Sequence, residues 1–167
     1  MIFLPSYKFD NLAGIDIDFF SGSDLIIFDV DNTLVFVETT ETKKEVVDWF
    51  ERISNKYRCV CLSNSRTINK RKGKIEGLLG CTIFLSKYKK PFRRPFDEIL
   101  KKYNLSRNNK IFMVGDKILP DILFGNLNGA KTVLVGRLTD KETVLVKTQR
   151  LFENFLLKFF ALLGYNT

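Results

Sequence analysis

No histidine occurs anywhere in the 167 residues. That excludes His-based catalytic triads, histidine-ligated zinc and imidazole acid–base chemistry. Any catalysis must therefore run on carboxylates, lysines, hydroxyls and a metal. Cysteine is scarce as well. There are three, an odd number with no Cys-x-x-Cys pair, which is poor material for a disulfide framework or a zinc site. Cys59 and Cys61 stand two apart in an expected strand and Cys81 opens another, so all three read as small buried hydrophobes. No apolar run approaches the roughly 20 residues that cross a bilayer. The opening Met1-Ile2-Phe3-Leu4 is stopped by Pro5 and lacks the charged lead and long apolar centre of a signal peptide, so a cytoplasmic location is expected.

What remains is ordinary globular material, with 45% hydrophobic and 28% charged residues. The length suits a single domain over residues 1–167, large enough to bury a core without staples. The net charge of +8 is uneven. Lys70, Arg71, Lys72 and Lys74 form one basic cluster, and Lys87, Lys89, Lys90, Arg93 and Arg94 form a second with no acid between them. Such clusters attract polyanions, whether nucleic acid, phosphorylated small molecules or an anionic membrane face. They also serve as plain solvated surface.

Strand and helix patterns alternate along the chain. Residues 25–30 read as a strand, and residues 42–57 as a helix, because Val46, Val47, Trp49, Phe50 and Ile53 recur at helical spacing. Residues 58–62 read as a strand, 70–79 as a short helix and 81–85 as a third strand. Pro95 opens a helix through residue 103. A strand at 110–114, a short helix at 121–128, a strand at 131–135 and a long helix at 141–163 complete the series. This alternation predicts an α/β fold, a Rossmann-like three-layer arrangement of parallel sheet with helices on both faces. Ligands in such sheets bind beyond the carboxyl ends of the strands.

Two strand ends carry paired carboxylates. Leu25-Ile26-Ile27-Phe28 runs into Asp29-Val30-Asp31-Asn32-Thr33, and Phe112-Met113-Val114-Gly115 runs into Asp116, with Asp121 five residues on. Like charges so close repel unless a cation or a proton relieves them. Mg²⁺ would do so, since hard dications take carboxylate and carbonyl oxygens. Converging at one sheet edge, Asp29, Asp116 and the main-chain carbonyl of Asp31 can form that site. The first carboxylate could attack an electrophile while Asp31 handles a proton. Ser63-Asn64-Ser65 at the end of the second strand offers hydroxyls and amides for a phosphate, or simply turn chemistry. Lys90-Pro91 holds an ammonium ahead of a rigid residue.

These four segments, in this order, resemble the motifs of the haloacid dehalogenase (HAD) superfamily of phosphohydrolases. The resemblance implies that Asp29 is the nucleophile forming an aspartyl-phosphate. Asp31 would protonate the leaving oxygen and then activate water. Ser63, Asn64 and Lys90 would hold the phosphoryl oxygens and Asp116 the metal. Thr33 completes the first motif, and Asp121 would support the metal or orient Lys90. The gaps of 33 residues between Asp29 and Ser63 and 26 between Ser63 and Lys90 leave no room for a cap domain. The site should therefore lie open, suited to large or surface-bound substrates.

Phe3-Leu4-Pro5, the run from Asp29 to Val35, and Val114-Gly115-Asp116 leading through Asp121 to Gly125-Asn126 and Gly129 resemble the capless YqeG-like branch of subfamily IIIA. That branch is related to mitochondrial phosphatidylglycerophosphatase. The similarity implies removal of the terminal phosphate from phosphatidylglycerophosphate. Phe36-Val37 departs from the Pro-Trp-like pair usual in that branch, and Lys117 and Pro120 stand where Gln and Thr are common. Neither change is expected to touch a catalytic group. The basic stretch around Lys90 and the apolar segment 155–163 could dock peripherally on an anionic membrane, or that segment could pack across the sheet. Two other readings compete: a phosphatase for nucleic-acid ends or phosphoproteins, and a non-catalytic module of HAD type.

Overall fold

The computed structural model describes residues 2–138. Six parallel strands form one sheet in the order β1-β6-β5-β2-β3-β4. They are β1 (Tyr7–Phe9), β2 (Leu25–Phe28), β3 (Cys59–Leu62), β4 (Ile83–Phe84), β5 (Ile111–Gly115) and β6 (Lys131–Val135). The helices are α1 (Lys44–Lys56), α2 (Ile68–Leu79), α3 (Arg94–Tyr103) and α4 (Leu123–Leu127).

The three layers follow from the period of two in the central strands. Side chains alternate faces along a strand, and every residue of β2 is buried. Ile26 and Phe28 point to the layer of α1 and α2, where they join Trp49, Phe50, Ile53 and Ile75. Leu25 and Ile27 point the other way, toward Phe96, Ile99, Leu100 and Phe124. Strands buried on both faces read as continuous apolar runs, which is why β2 and β5 carry so few polar residues. The fold is therefore the expected α/β sandwich of HAD type, with no cap evident between β2 and β3 or between β3 and β4.

Three local details differ from expectation. β1 is an edge strand that periodicity does not reveal, because three residues are too few to show one. It is fixed by β6 through Ser6 N–H donating to Thr132 Oγ1 at 2.9 Å and Gly136 N–H donating to Phe9 O at 3.0 Å. The strand expected at 81–85 shortens to Ile83–Phe84, so Cys81 precedes it. Cys61 and Cys81 are buried and Cys59 half-buried, all as free thiols. The helix expected at 121–128 begins earlier, as a π-helical turn over Ile118–Ile122 that passes into α4. The helix expected at 141–163, with its apolar segment 155–163, lies outside the described residues.

Phe28 packs edge-on against Phe50 and Trp49, with ring centroids at 5.1 and 6.1 Å. Phe28→Ala should cost about 3–5 kcal/mol of stability. Leu127→Ala, at a residue 53% exposed, should fall within about 0.5 kcal/mol of the parent. Denaturant melts of the two variants check both values.

Candidate active site

The sheet reverses its winding at β2. From there the chain proceeds outward through β3 and β4 on one side, and through β5 and β6 on the other. A crevice forms at the carboxyl ends of strands where the order reverses. Asp29 follows β2, Ser63 follows β3 and Asp116 follows β5, so the expected residues meet there. The last sheet rung is Asp29 N–H donating to Val114 O at 2.8 Å. A tight turn follows, in which Val30 O accepts from Leu34 N–H at 2.9 Å and Val35 N–H at 3.0 Å. Asn32 takes a left-handed conformation, φ 70°, which Asn tolerates better than most residues.

Lys90 reaches this edge from the loop after β4 and ends wholly buried. Its Nζ donates to Asp29 Oδ1 and to Asp121 Oδ1, each at 2.6 Å. Its main chain is held too: Lys90 N–H donates to Asn64 Oδ1 and Asn64 Nδ2 donates to Lys90 O, both at 2.8 Å. Burial alone would depress the ammonium's pKa, but the carboxylates of Asp121 and Asp29 outweigh it and hold the pKa above its ordinary value. Asp121 is pushed up to about 7, first by burial and then by repulsion from Asp29. Its close approach depends on Gly115, since a Cβ there would lie 2.4 Å from the Asp121 carboxyl carbon.

Asp116 is fully enclosed. Its Oδ1 accepts from Lys117 Nζ at 2.7 Å and from Thr33 Oγ1 at 3.4 Å, and its Oδ2 accepts from Arg137 Nε at 3.2 Å. Burial raises its pKa most, with Lys117 opposing that effect. Here the expectation for Lys117 fails. Its ammonium contacts Asp116, reaches Asp31 O at 3.4 Å and lies 4.0 Å from Asp29 Oδ2. The reason is that Lys117 directly follows the β5 carboxylate, and strand alternation does not describe a residue in the turn beyond.

Asp31 turns its side chain away from that group. Arg71 grips it through Nη1 to Oδ1 at 2.9 Å and Nη2 to Oδ2 at 3.0 Å. Ser63 Oγ donates to Oδ2 at 3.2 Å and Glu38 N–H to Oδ1 at 2.9 Å. The guanidinium also binds Thr39 O, Thr67 Oγ1 and Ser65 Oγ. Charge patterning groups Arg71 with the basic cluster 70–74, yet it is buried. A signal for this exists, since Arg71 sits on the inward stripe of Ile68, Ile75 and Leu79 in α2. Lys90 likewise leaves its exposed neighbours for the interior.

Asp29, Asp31, Ser63, Asn64, Lys90 and Lys117 open onto one cavity of about 450 Å³, whose rim includes Val37, Leu119 and Pro120. Asp29, Asp116 and Asp121 offer carboxylate oxygens within 4.8 Å of one another, the donor chemistry a hard dication takes. Asp31 faces the same group with its main-chain carbonyl. The oxygen set fits Mg²⁺.

Residues 1–138 match the family model described as mitochondrial PGP phosphatase. The chain belongs to that family. A protein of Bacillus subtilis (strain 168) named "Probable phosphatase YqeG" is similar, 28% identical over 133 residues that cover 79% of this chain and 75% of that relative. No solved structure matches the chain. As a member of the PGP phosphatase family the chain is a phosphatase, which removes the reading as a non-catalytic module.

Two substitutions probe how the site is held. Gly115→Ala should drive Asp121 off Lys90 and lower phosphatase activity at least about tenfold, with a stability loss of about 1–3 kcal/mol from overpacking. Arg71→Met should cost about 3–5 kcal/mol, because it strips a largely buried carboxylate of its partner. Arg71→Lys should recover only part of that, since an ammonium cannot repeat the two-pronged grip. Denaturant melts and p-nitrophenyl phosphate turnover read both effects.

Proposed function

We propose that the chain is a Mg²⁺-dependent phosphomonoesterase working through an aspartyl-phosphate, with phosphatidylglycerophosphate as its substrate. The observation that carries this reading is the buried Lys90 ammonium, bridging Asp29 and Asp121 at the wall of the cavity that Asp29 and Lys90 line. An ammonium there offsets the repulsion between a carboxylate nucleophile and an anionic phosphoryl group.

An Asp29 carboxylate oxygen attacks phosphorus, and the bond from phosphorus to the ester oxygen breaks. The Asp31 carboxyl gives its proton to that departing oxygen. Asp31 then takes a proton from water as the water oxygen attacks the acyl phosphate, which releases inorganic phosphate and restores Asp29. Ser63 and Arg71 fix the orientation of Asp31 throughout. Lys90, positioned by Asp121 and Asn64, stays with Asp29, and Ser63 and Asn64 line the cavity where the phosphoryl oxygens sit. Asp29, Asp116 and the Asp31 carbonyl would hold Mg²⁺, which supplies charge stabilisation for the phosphoryl group.

The lipid substrate is supported by the surface beside the cavity. The segment 85–94 exposes Leu85, Tyr88 and Phe92, the last 68% exposed, among Lys87, Lys89, Arg93 and Arg94. Apolar side chains interleaved with cations suit the face of an anionic bilayer. Among the described residues no helix is long and apolar enough to cross a membrane, so the contact proposed is peripheral. Lys90 and Pro91 of that segment line the cavity, so a headgroup is taken to enter it while the acyl chains stay in the bilayer.

Mg²⁺-dependent phosphate release from phosphatidylglycerophosphate in mixed micelles tests the reading. p-Nitrophenyl phosphate and a phosphorylated oligonucleotide run in parallel. Selective lipid turnover, reduced by at least about a thousandfold in Asp29→Asn, is the expected result. Turnover of the oligonucleotide alone would favour the nucleic-acid reading, and undiminished turnover by Asp29→Asn would sink the mechanism. Phe92→Asp should weaken cosedimentation with vesicles rich in anionic lipid while leaving p-nitrophenyl phosphate turnover intact.

A further inference from the structure

Three oxygens proposed to hold the metal converge on a cation of the chain's own. Lys117 Nζ lies 2.7 Å from Asp116 Oδ1, 3.4 Å from Asp31 O and 4.0 Å from Asp29 Oδ2. These atoms come from three separate points at the sheet edge, so a side chain meeting all of them occupies the space between them. Lys117 is also tied from behind, where its main-chain N–H donates to Asp121 Oδ2 at 3.1 Å. The side chain is not sealed in. It is 20% exposed and lines the cavity, whereas Lys90 is wholly enclosed.

A dication and an ammonium cannot share these oxygens, because repulsion between like charges at such separations far exceeds thermal energy. We propose that Lys117 is a tethered competitor for the metal seat, so that Mg²⁺ binds only as the Lys117 ammonium swings out into the cavity. The main-chain bond to Asp121 keeps the residue in place while the side chain moves. Lys117 thus sets the metal concentration at which the site fills. Once displaced, it carries its positive charge toward the cavity that receives the phosphorylated substrate.

The inference rests on the metal-dependent reading above, and the following test separates the two. Mg²⁺ binding to the whole protein and to Lys117→Gln is measured by calorimetry, without substrate. Removing the competing charge should tighten Mg²⁺ binding at least about tenfold. Equal affinity, or weaker binding by the variant, overturns the competitor role and leaves the metal reading standing. Absence of Mg²⁺ binding to either protein overturns both.

If Lys117→Gln fails to fold, amine acetylation of the parent protein, mapped by mass spectrometry, tests the same competition. Saturating Mg²⁺ should raise labelling at Lys117 severalfold while Lys90 stays protected. Unchanged or reduced labelling at Lys117 overturns the proposal.

Discussion

Crowding of carboxylates at the end of the sheet governs the rest of the architecture. Parallel strands deliver their carboxyl ends to one edge, and here they bring Asp29, Asp31, Asp116 and Asp121 together, three of the four buried. Desolvated like charges at this density are unfavourable unless each finds a partner. The partners come from different parts of the chain: Lys90 from the loop after β4, Arg71 from α2, Lys117 from just beyond β5 and Arg137 from just beyond β6. Neutralising the site therefore ties four connections of the fold to one point. Such pairs add little net stability, yet breaking one is expensive. The aromatic and aliphatic core beneath supplies the stability, and the ion pairs supply the geometry.

Lys90 illustrates that division most clearly. Its ammonium sits between Asp29 and Asp121, and its main chain is clasped by the Asn64 amide. A charge fixed at both ends of its side chain needs no reorganisation when a phosphoryl group arrives, which is where electrostatic catalysis gains most. Asp121 in turn depends on the π-helical turn that presents it and on Gly115, which lets it approach. π-Helical turns are frequent at functional sites. In this reading Asp121 and Asn64 act through Lys90 as positioning residues.

How far the sequence discloses all this depends on the kind of signal. β2 and β5 are legible because strands buried on both faces leave unbroken apolar runs, and a carboxylate straight after such a run is conspicuous. β1 is not, since three residues carry no period and its place is set by pairing with β6. Arg71 escapes a reading by charge because its neighbours are basic, and only the helical stripe it occupies marks it as buried. Lys117 escapes for a deeper reason. What matters there is convergence with Asp31, 86 positions away, and no local pattern encodes that. The same holds for the double use of Asn64, whose partner is 26 positions on.

Formal charge at the site links the lysine to the substrate. Against the four acids stand two lysines and two arginines, so the group is balanced with all four ionised and carries one positive charge when Asp31 holds the proton it gives to the leaving oxygen. A phosphomonoester brings up to two negative charges into a half-enclosed cavity, more than that single charge offsets. Lys90 offsets part of this charge, but it shares its own with Asp29 and Asp121. A dication among the oxygens of Asp29, Asp31 and Asp116 raises the group by two, which equals the charge of the incoming phosphate. If Lys117 yields its seat and stays in the cavity, that positive charge is retained beside the substrate and none is lost to solvent. The competition proposed for Lys117 is therefore compatible with strong phosphate binding: it delays metal entry, and the same ammonium then faces the anion that follows.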